Sequence, residues 1–590
     1  MVKISNSNVR KSIEFINEAK LGDAVLLLRK VLRSNPKEIQ ALNIIGQVLI
    51  KQKEFDTAID YLQKSLNLNS NDYEIWSRLG YAYEKKGLYD KALEAYKQSS
   101  ALNPQQAHVY DGLGRVLAKM NHDYEALPYF FKALELSPND VDIHNNIGFT
   151  SKKLGLYEIA IEHYQIARQL DPANSMYLSS LIFNIHKDPQ SQLKDFYEYG
   201  QEFYRLFVEP TQGKLNVDVY SRLDINKTKL RLGFVSADLC QHPVSAYLIK
   251  VLEKINRENF ELYFYSAAEY QDATTERIKK LATKFQLITQ LEDIQAAELI
   301  AADGIDVLFD LSGFTKGARL GIFKIKAAPV QITHIGYFGT LAMPEMDFII
   351  ADDNLIREGE GRYFTERIYK IPDCYCHCDL YDIPEPEVQL PYDTNHHITF
   401  GSMNSFHKVS ANVIALWAKL LKEVPNSKIL FDNLVLGNKH NRDYVSGIFS
   451  RQGIDSSRLI LKSSIPRQDF LRSYNDIDIA LDPFPYGGGT TTIESLMMGV
   501  PVITINGDRW VSRQSTGFLQ TVGHPELIAV DTNDYLNKAK ELSMDIKRLR
   551  SYKKNLRTDV QNSEMNIDKY IVKFEKAIHD MWQIICKERQ

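Results

Sequence analysis

The run DPFPYGGGTTTIESLMMGVPVIT, residues 482–504, holds the densest chemistry in the chain, directly after the apolar segment IDIALD. Gly487, Gly488 and Gly489 let a backbone approach a ligand closely and adopt dihedrals closed to other residues. Thr490, Thr491 and Thr492 then open a helix. A helix N-terminus presents free N–H groups and partial positive charge, which suits a diphosphate. Glu494 falls in the first turn, where a carboxylate can accept hydrogen bonds from ribose hydroxyls. The carboxyl end of a strand in an open α/β sheet is where nucleotides bind. A tight turn with a capping threonine would account for one residue of each kind, not for a triplet of each.

Two further loops carry candidate groups. FGSMNSFHKVSANV, from residue 400, reads as strand, loop and helix, with Ser405, His407 and Lys408 on the loop. A lysine there can neutralise a leaving diphosphate, and Ser405 is assigned with it to the donor site. FVSADLCQHPVSAYL, residues 234–248, places His242 after the first strand of the α/β region. The neighbouring Pro243 holds it extended or in a turn. There it can touch a donor or accept a proton from an attacking hydroxyl. Residues 310–340 add Lys316, Arg319, Gly336 and Gly339 near the same cleft.

These loops need a scaffold. LRLGFVSAD, FELYFYSA, IDVLFDLSG, VQITHIGY and DFIIAD read as strands alternating with helical runs, and a second series begins at HHITFGSMNS. Strand–helix alternation with short connections predicts doubly wound parallel sheets. The expected units are Rossmann-like domains at 229–375 and 397–540, an interdomain linker at 376–396 and a helical tail at 541–590. Two Rossmann-like units flanking a linker describe the GT-B arrangement of nucleotide-sugar transferases.

Ahead of them a 34-residue beat recurs. Pro36, Pro104, Pro138 and Pro172 keep it, as do Ala24, Ala58, Ala92, Ala126 and Ala160, and Gly46, Gly80, Gly114 and Gly148. The unit 73–106 carries Trp76, Leu79, Gly80, Tyr83, Ala92, Tyr96 and Pro104, the tetratricopeptide pattern. Five repeats are expected over 5–174, capping helices over 175–210 and a linker over 211–228. Such an α-solenoid binds protein or peptide, or serves for docking.

Bulk properties narrow the class. The chain has 590 residues and a net charge of −4, without the basic footprint of a nucleic-acid binder. No apolar stretch approaches membrane-spanning length, and MVKISNSNVRKS lacks a signal-peptide core, so a cytoplasmic location is expected. Five cysteines are too few for a disulfide scaffold. Cys374, Cys376 and Cys378 flank His377 in a C-x-C-H-C run, which lacks paired zinc-ligand spacing and reads as a buried or linker segment.

SADLCQHPVS, DGIDVLFDLSGFTKGAR, APVQITHIGYFGT, the Lys408 loop and FPYGGGTTTIESL together resemble the protein O-linked N-acetylglucosaminyltransferase family, which includes Spindly-type and bacterial members. The resemblance covers nearly the whole chain. It implies an inverting transferase that needs no metal and no cofactor, moving a sugar from a nucleotide donor, UDP-GlcNAc first, to Ser or Thr of proteins. By the resemblance His242 and Lys408 are catalytic, Thr490 and Thr491 bind phosphate and Glu494 meets the ribose, and Gly488, Gly489, Arg467 and Ser405 complete the expected donor site. Arg467 stands where animal enzymes have lysine. Phe470 and Asp306 stand where relatives have histidine, and His334 and Phe338 replace the common Trp and Pro. A donor such as GDP-fucose, or a repeat scaffold with an inactive nucleotide-binding half, are the alternatives. The general base stays open between His242, another side chain and a donor phosphate oxygen. A homo-oligomer is left open.

Overall fold

The computed structural model describes residues 7–380, 382–464 and 466–589. Residues 5 and 6 of the first expected repeat, 381 of the expected linker, 465 of the second expected Rossmann-like unit and 590 of the expected tail lie outside the described residues. The chain divides into two compact units, Met1–Leu154 with Gln169–Asp171 and Asn438–Tyr444, and the remainder.

The first unit stacks helices in pairs: α1 (Ser7–Asn17) with α2 (Leu21–Ser34), α3 (Ile39–Lys51) with α4 (Phe55–Leu68), α5 (Tyr73–Lys85) with α6 (Tyr89–Leu102), and α7 (Ala107–Lys119) with α8 (Asp123–Leu136), followed by α9 (Val141–Lys153). The glycine beat is a packing requirement. A Cβ on Gly46, Gly80 or Gly114 would sit 2.6 Å from Leu62, Tyr96 or Phe130 respectively, on the partner helix of each pair. Asp72 starts α5 by accepting hydrogen bonds from the Glu74 and Ile75 amides, and Asp140 does the same for α9. Polar side chains between successive pairs satisfy one another: Arg78 donates to Asn43 at 2.6 Å and Asn146 to Asp111 at 2.8 Å.

In the second unit, the helix Tyr157–Leu170 up to Arg168 and the helices Ser175–Ile185 and Leu193–Phe203 precede two parallel sheets. The first sheet contains β1 (Leu230–Ser236), β2 (Phe260–Ser266), β3 (Lys284–Leu287), β4 (Val307–Asp310), β5 (Val330–Thr333), β6 (Phe348–Ala351) and β7 (Arg367–Lys370), ordered β3-β2-β1-β4-β5-β6-β7. The second contains β8 (Thr399–Ser402), β9 (Lys428–Asp432), β10 (Leu459–Lys462), β11 (Ile479–Leu481), β12 (Val502–Ile505) and β13 (Ile528–Ala529), ordered β10-β9-β8-β11-β12-β13. Helices cover both faces, so strands such as β4 and β8 are buried throughout and read as apolar runs instead of alternating. Strand order reverses direction between β1 and β4 and again between β8 and β11. The loops leaving such a pair splay apart and open a crevice at their carboxyl ends.

The charged C-terminal tail closes the first sheet's core. Its last helix, Ile567–Arg589, carries Tyr570, Phe574, Ile578, Met581, Trp582 and Ile585 on one stripe. These side chains join Leu232, Phe234, Val307 and Ile332 in one core, with Trp582 fully buried. Among the described residues no helix is long and apolar enough to cross a membrane.

Candidate functional site

The reversal between β8 and β11 brings two distant loops together. β8 pairs with β11 through Phe400–Ile479 and Gly401–Ala480, so the Lys408 loop and the Gly487 turn leave the sheet side by side. The Lys408 ammonium donates to Gly487 O at 2.7 Å and lies 4.4 Å from the centre of the Tyr486 ring. Burial lowers its pKa to about 8, and the Asp482 carboxylate opposes that shift. The loop is braced from behind. Tyr157 donates to His407 O, and Gly155, at φ +73°, approaches so closely that a Cβ would meet Val409 O at 2.5 Å.

Asp482 organises the glycine turn and was not singled out from the sequence. Fully buried at the end of β11, it accepts from the Gly488 amide at 2.6 Å and from the Thr504 hydroxyl at 2.8 Å. Asn404 links the loops by donating to Asp482 at 3.4 Å and accepting from the Thr491 hydroxyl at 3.0 Å. The only signal for either residue was its place at the end of an apolar strand. The three glycines serve close packing and not left-handed backbone: none of them has positive φ, and Gly489 lies at φ −123°, ψ −89°. A Cβ on Gly488 would fall 2.4 Å from Thr492 Oγ1. The helix Thr490–Met497 begins without a side-chain cap, which leaves its N-terminus suited to an anion.

Glu494 is fully buried on that helix, paired with Arg467 at 2.6 Å and accepting from the Tyr474 hydroxyl at 3.3 Å. Burial raises its carboxyl pKa, against the opposing Arg467 charge. Arg467 therefore stands beside the acidic group assigned to the ribose. Ser405 is exposed just before the 3-10 turn Phe406–Lys408, its carbonyl accepting from the Lys408 amide at 2.9 Å.

The first sheet supplies the opposing wall. His242 is extended, at φ −148° and ψ 152°, and begins the helix Pro243–Lys254. Its Nδ1 accepts from the Val244 amide at 3.3 Å and lies 3.7 Å from Asp238 Oδ2, with the imidazole 41% exposed. Burial raises the Asp238 carboxyl pKa, opposed by His242. Five residues further on, burial holds the Tyr247 phenol well above its ordinary pKa, with the Thr490 hydroxyl opposing that shift. Across the reversal, Ser312 after β4 accepts from the Ala237 amide at 3.3 Å.

Other singled-out residues fall elsewhere. Asp306 precedes β4, at its amino end, where it pairs with Lys227 at 2.7 Å and accepts from the Arg231 amide. Its departure from the family's histidine therefore lies at the edge opposite the loops. Phe470 packs edge-on against Tyr474. Arg319 is bound to Asp293 and to two backbone carbonyls, and Lys316 is exposed beside Glu269. Cys374, Cys376 and Cys378 are buried free thiols, and His377 is hydrogen-bonded to Tyr247 O at 2.7 Å.

Comparison with known proteins gives the same picture. Tetratricopeptide-repeat models match residues 11–73, 49–116 and 107–140. The chain is 29% identical over 402 residues to the probable UDP-N-acetylglucosamine–peptide N-acetylglucosaminyltransferase SPINDLY of Petunia hybrida, covering 66% of this chain and 42% of that protein. It is 23% identical over 481 residues to the UDP-N-acetylglucosamine–peptide N-acetylglucosaminyltransferase of Caenorhabditis elegans, covering 61% and 41%. The chain thus spans less than half the length of these curated relatives. The solved structure of an O-GlcNAc transferase mutant from Thermobaculum terrenum superposes with a TM-score of 0.74 at 27% identity, over 88% of this chain and 98% of that one. Residues 211–383 and 386–574 match the model for glycosyl transferase family 41. That match takes in both sheets, their facing loops and the first turns of the closing helix, and the chain belongs to this family.

Proposed function

We propose that this chain is an intracellular, inverting protein O-glycosyltransferase that moves N-acetylglucosamine from UDP-GlcNAc to Ser or Thr of proteins. One observation carries the reading: Lys408 and an uncapped helix N-terminus meet at the Gly487–Thr491 turn, at the strand-order reversal where nucleotides bind. The relatives, named UDP-N-acetylglucosamine–peptide N-acetylglucosaminyltransferases, supply the choice of sugar. In the reaction the acceptor hydroxyl oxygen bonds to C1 of the sugar as the bond from C1 to the diphosphate oxygen breaks. The electron pair leaves with UDP, and the hydroxyl proton passes to a base. Negative charge grows on the diphosphate, where Lys408 and the amides opening Thr490–Met497 stabilise it in the transition state. That base is His242, another side chain or an oxygen of the donor phosphate, and His242, whose Nδ1 accepts from the Val244 amide, stands on the loop after β1. Thr490 offers its hydroxyl to the phosphates and Thr491 its amide, since the Thr491 hydroxyl donates to Asn404, and Arg467 with Glu494 faces the nucleoside. The repeats present protein acceptors.

The test is transfer of labelled N-acetylglucosamine from UDP-GlcNAc to proteins of a lysate by the purified full chain, with the label on Ser or Thr. Absence of labelling from any nucleotide sugar across several lysates overturns the proposal. Labelling from GDP-fucose alone keeps the reaction and replaces the donor.

A further inference from the structure

Within the first compact unit, the segment Asn438–Tyr444 is seated on the turn between α7 and α8. Asn441 donates to Asn121 O at 2.7 Å, Asn438 donates to the same carbonyl, and Tyr444 stacks on Tyr124 with ring centres 4.1 Å apart. This seating brings His440 to His122 and Glu125. His440 Nδ1 lies 2.5 Å from Glu125 Oε1, and His122 Nδ1 lies 3.7 Å from the same oxygen. The two imidazoles are 5.0 Å apart and tilted by 44°. One ligand atom from each of the three residues falls within 4.8 Å of the others, the only such trio of His, Cys, Asp or Glu among the described residues.

The short approach is not a hydrogen bond in direction. Glu125 Oε1 is shielded from solvent and has no hydrogen-bond partner of acceptable geometry. The three ligand atoms converge on one point, and a zinc ion at about 2.0–2.1 Å from each needs the Glu125–His440 pair to open by only about 1 Å. Two imidazole nitrogens and one carboxylate oxygen form a ligand set suited to zinc, and hard cations such as calcium or magnesium prefer oxygen alone. The side chains keep 22%, 35% and 48% exposure at His122, Glu125 and His440, so water can reach a fourth position.

We propose that His122, Glu125 and His440 form a zinc site that pins the Asn438–Tyr444 segment to the α7–α8 turn. The site lies on residues distinct from those assigned to sugar transfer, and its role is structural. Zinc held there joins the segment to the turn through three metal–ligand bonds.

The test uses the full chain stripped with a chelator and titrated with Co(II), read by its visible d–d absorption and then by displacement with Zn(II). One Co(II) per chain, displaced by Zn(II) and free of a thiolate charge-transfer band, is the expected result. His122→Gln and His440→Gln should each weaken zinc binding by tenfold or more while circular dichroism stays unchanged. Glu125→Gln provides the same test should either histidine variant fail to fold. The proposal is overturned by absence of stoichiometric binding, or by unchanged affinity in the variants. A thiolate band, placing the metal at Cys374, Cys376 and Cys378, overturns it equally.

Discussion

Raising the pH from 7 to 9 should weaken binding of UDP about tenfold, through Lys408. Burial brings the pKa of this lysine to about 8 in the nucleotide-free protein. It is then roughly 90% charged at pH 7 and roughly 10% at pH 9. A diphosphate on the Gly487–Thr491 turn needs the ammonium and holds it protonated. Each lysine that is neutral beforehand must take up a proton on binding, and that cost appears as lost affinity. The sign follows: affinity is full below pH 8 and falls as the pH rises through it. A tenfold loss corresponds to about 1.4 kcal/mol. The nucleotide adds little slope, since a phosphate's last ionisation, near pKa ~6, is about nine-tenths complete by pH 7. Calorimetric titration of UDP at pH 7, 8 and 9 reads the effect directly. Lys408→Met should bind more weakly at pH 7 by about 1.5–3 kcal/mol, the worth of a charge-assisted hydrogen bond, and show no pH slope. Lys553, also lowered to about 8 by burial, donates to Met498 O and serves as the control. Its replacement by Met should leave the slope intact. A flat wild-type profile, or the same slope in Lys408→Met, would refute the role given to Lys408. Without nucleotide, Lys408→Met should melt at a higher temperature than wild type at pH 7. The folded pKa is depressed, so the charge costs stability there, and the gain should shrink as the pH rises towards that of a free lysine.

Three other changes separate the parts of the site. Gly488→Ala forces a Cβ to within 2.4 Å of Thr492 Oγ1 and 2.9 Å of Asp482 Oδ1, so the turn must move. UDP affinity should fall tenfold or more and stability by about 1–3 kcal/mol, checked by titration and urea unfolding. His242→Ala should lower turnover by about 10²–10⁴ with UDP affinity within about twofold of wild type. Unchanged turnover in a transfer assay would leave proton removal to the donor phosphate or another side chain. Trp582→Ala empties a fully buried position in the first sheet's core and should cost about 3–5 kcal/mol by urea unfolding. A cost under 1 kcal/mol would mean that the last helix is not part of that core.

The sequence by itself determined whatever repeats over short distances. The 34-residue beat is local, because each helix pair buries the same small residues against the same neighbour, as Gly80 does under Tyr96. The parallel strands were legible as apolar runs because both of their faces are covered. The glycine and threonine triplets marked the anion turn because backbone approach and a free helix N-terminus depend on adjacent residues. The tertiary structure decided what depends on strand order. Lys408 reaches Gly487 across 79 residues only because β8 and β11 are neighbours where the sheet reverses. Asp482 and Asn404 looked like ordinary polar strand ends until that pairing turned them into the brace of the turn. Glu494 offered a carboxylate in a helix's first turn, and the fold gave it Arg467 and Tyr474 as partners. Asp306 drew notice by its type, yet it lies at the amino end of its strand, four residues from the edge that faces the cleft. A four-residue run of strand separates the two edges, and periodicity alone does not record which end of a strand faces the ligand.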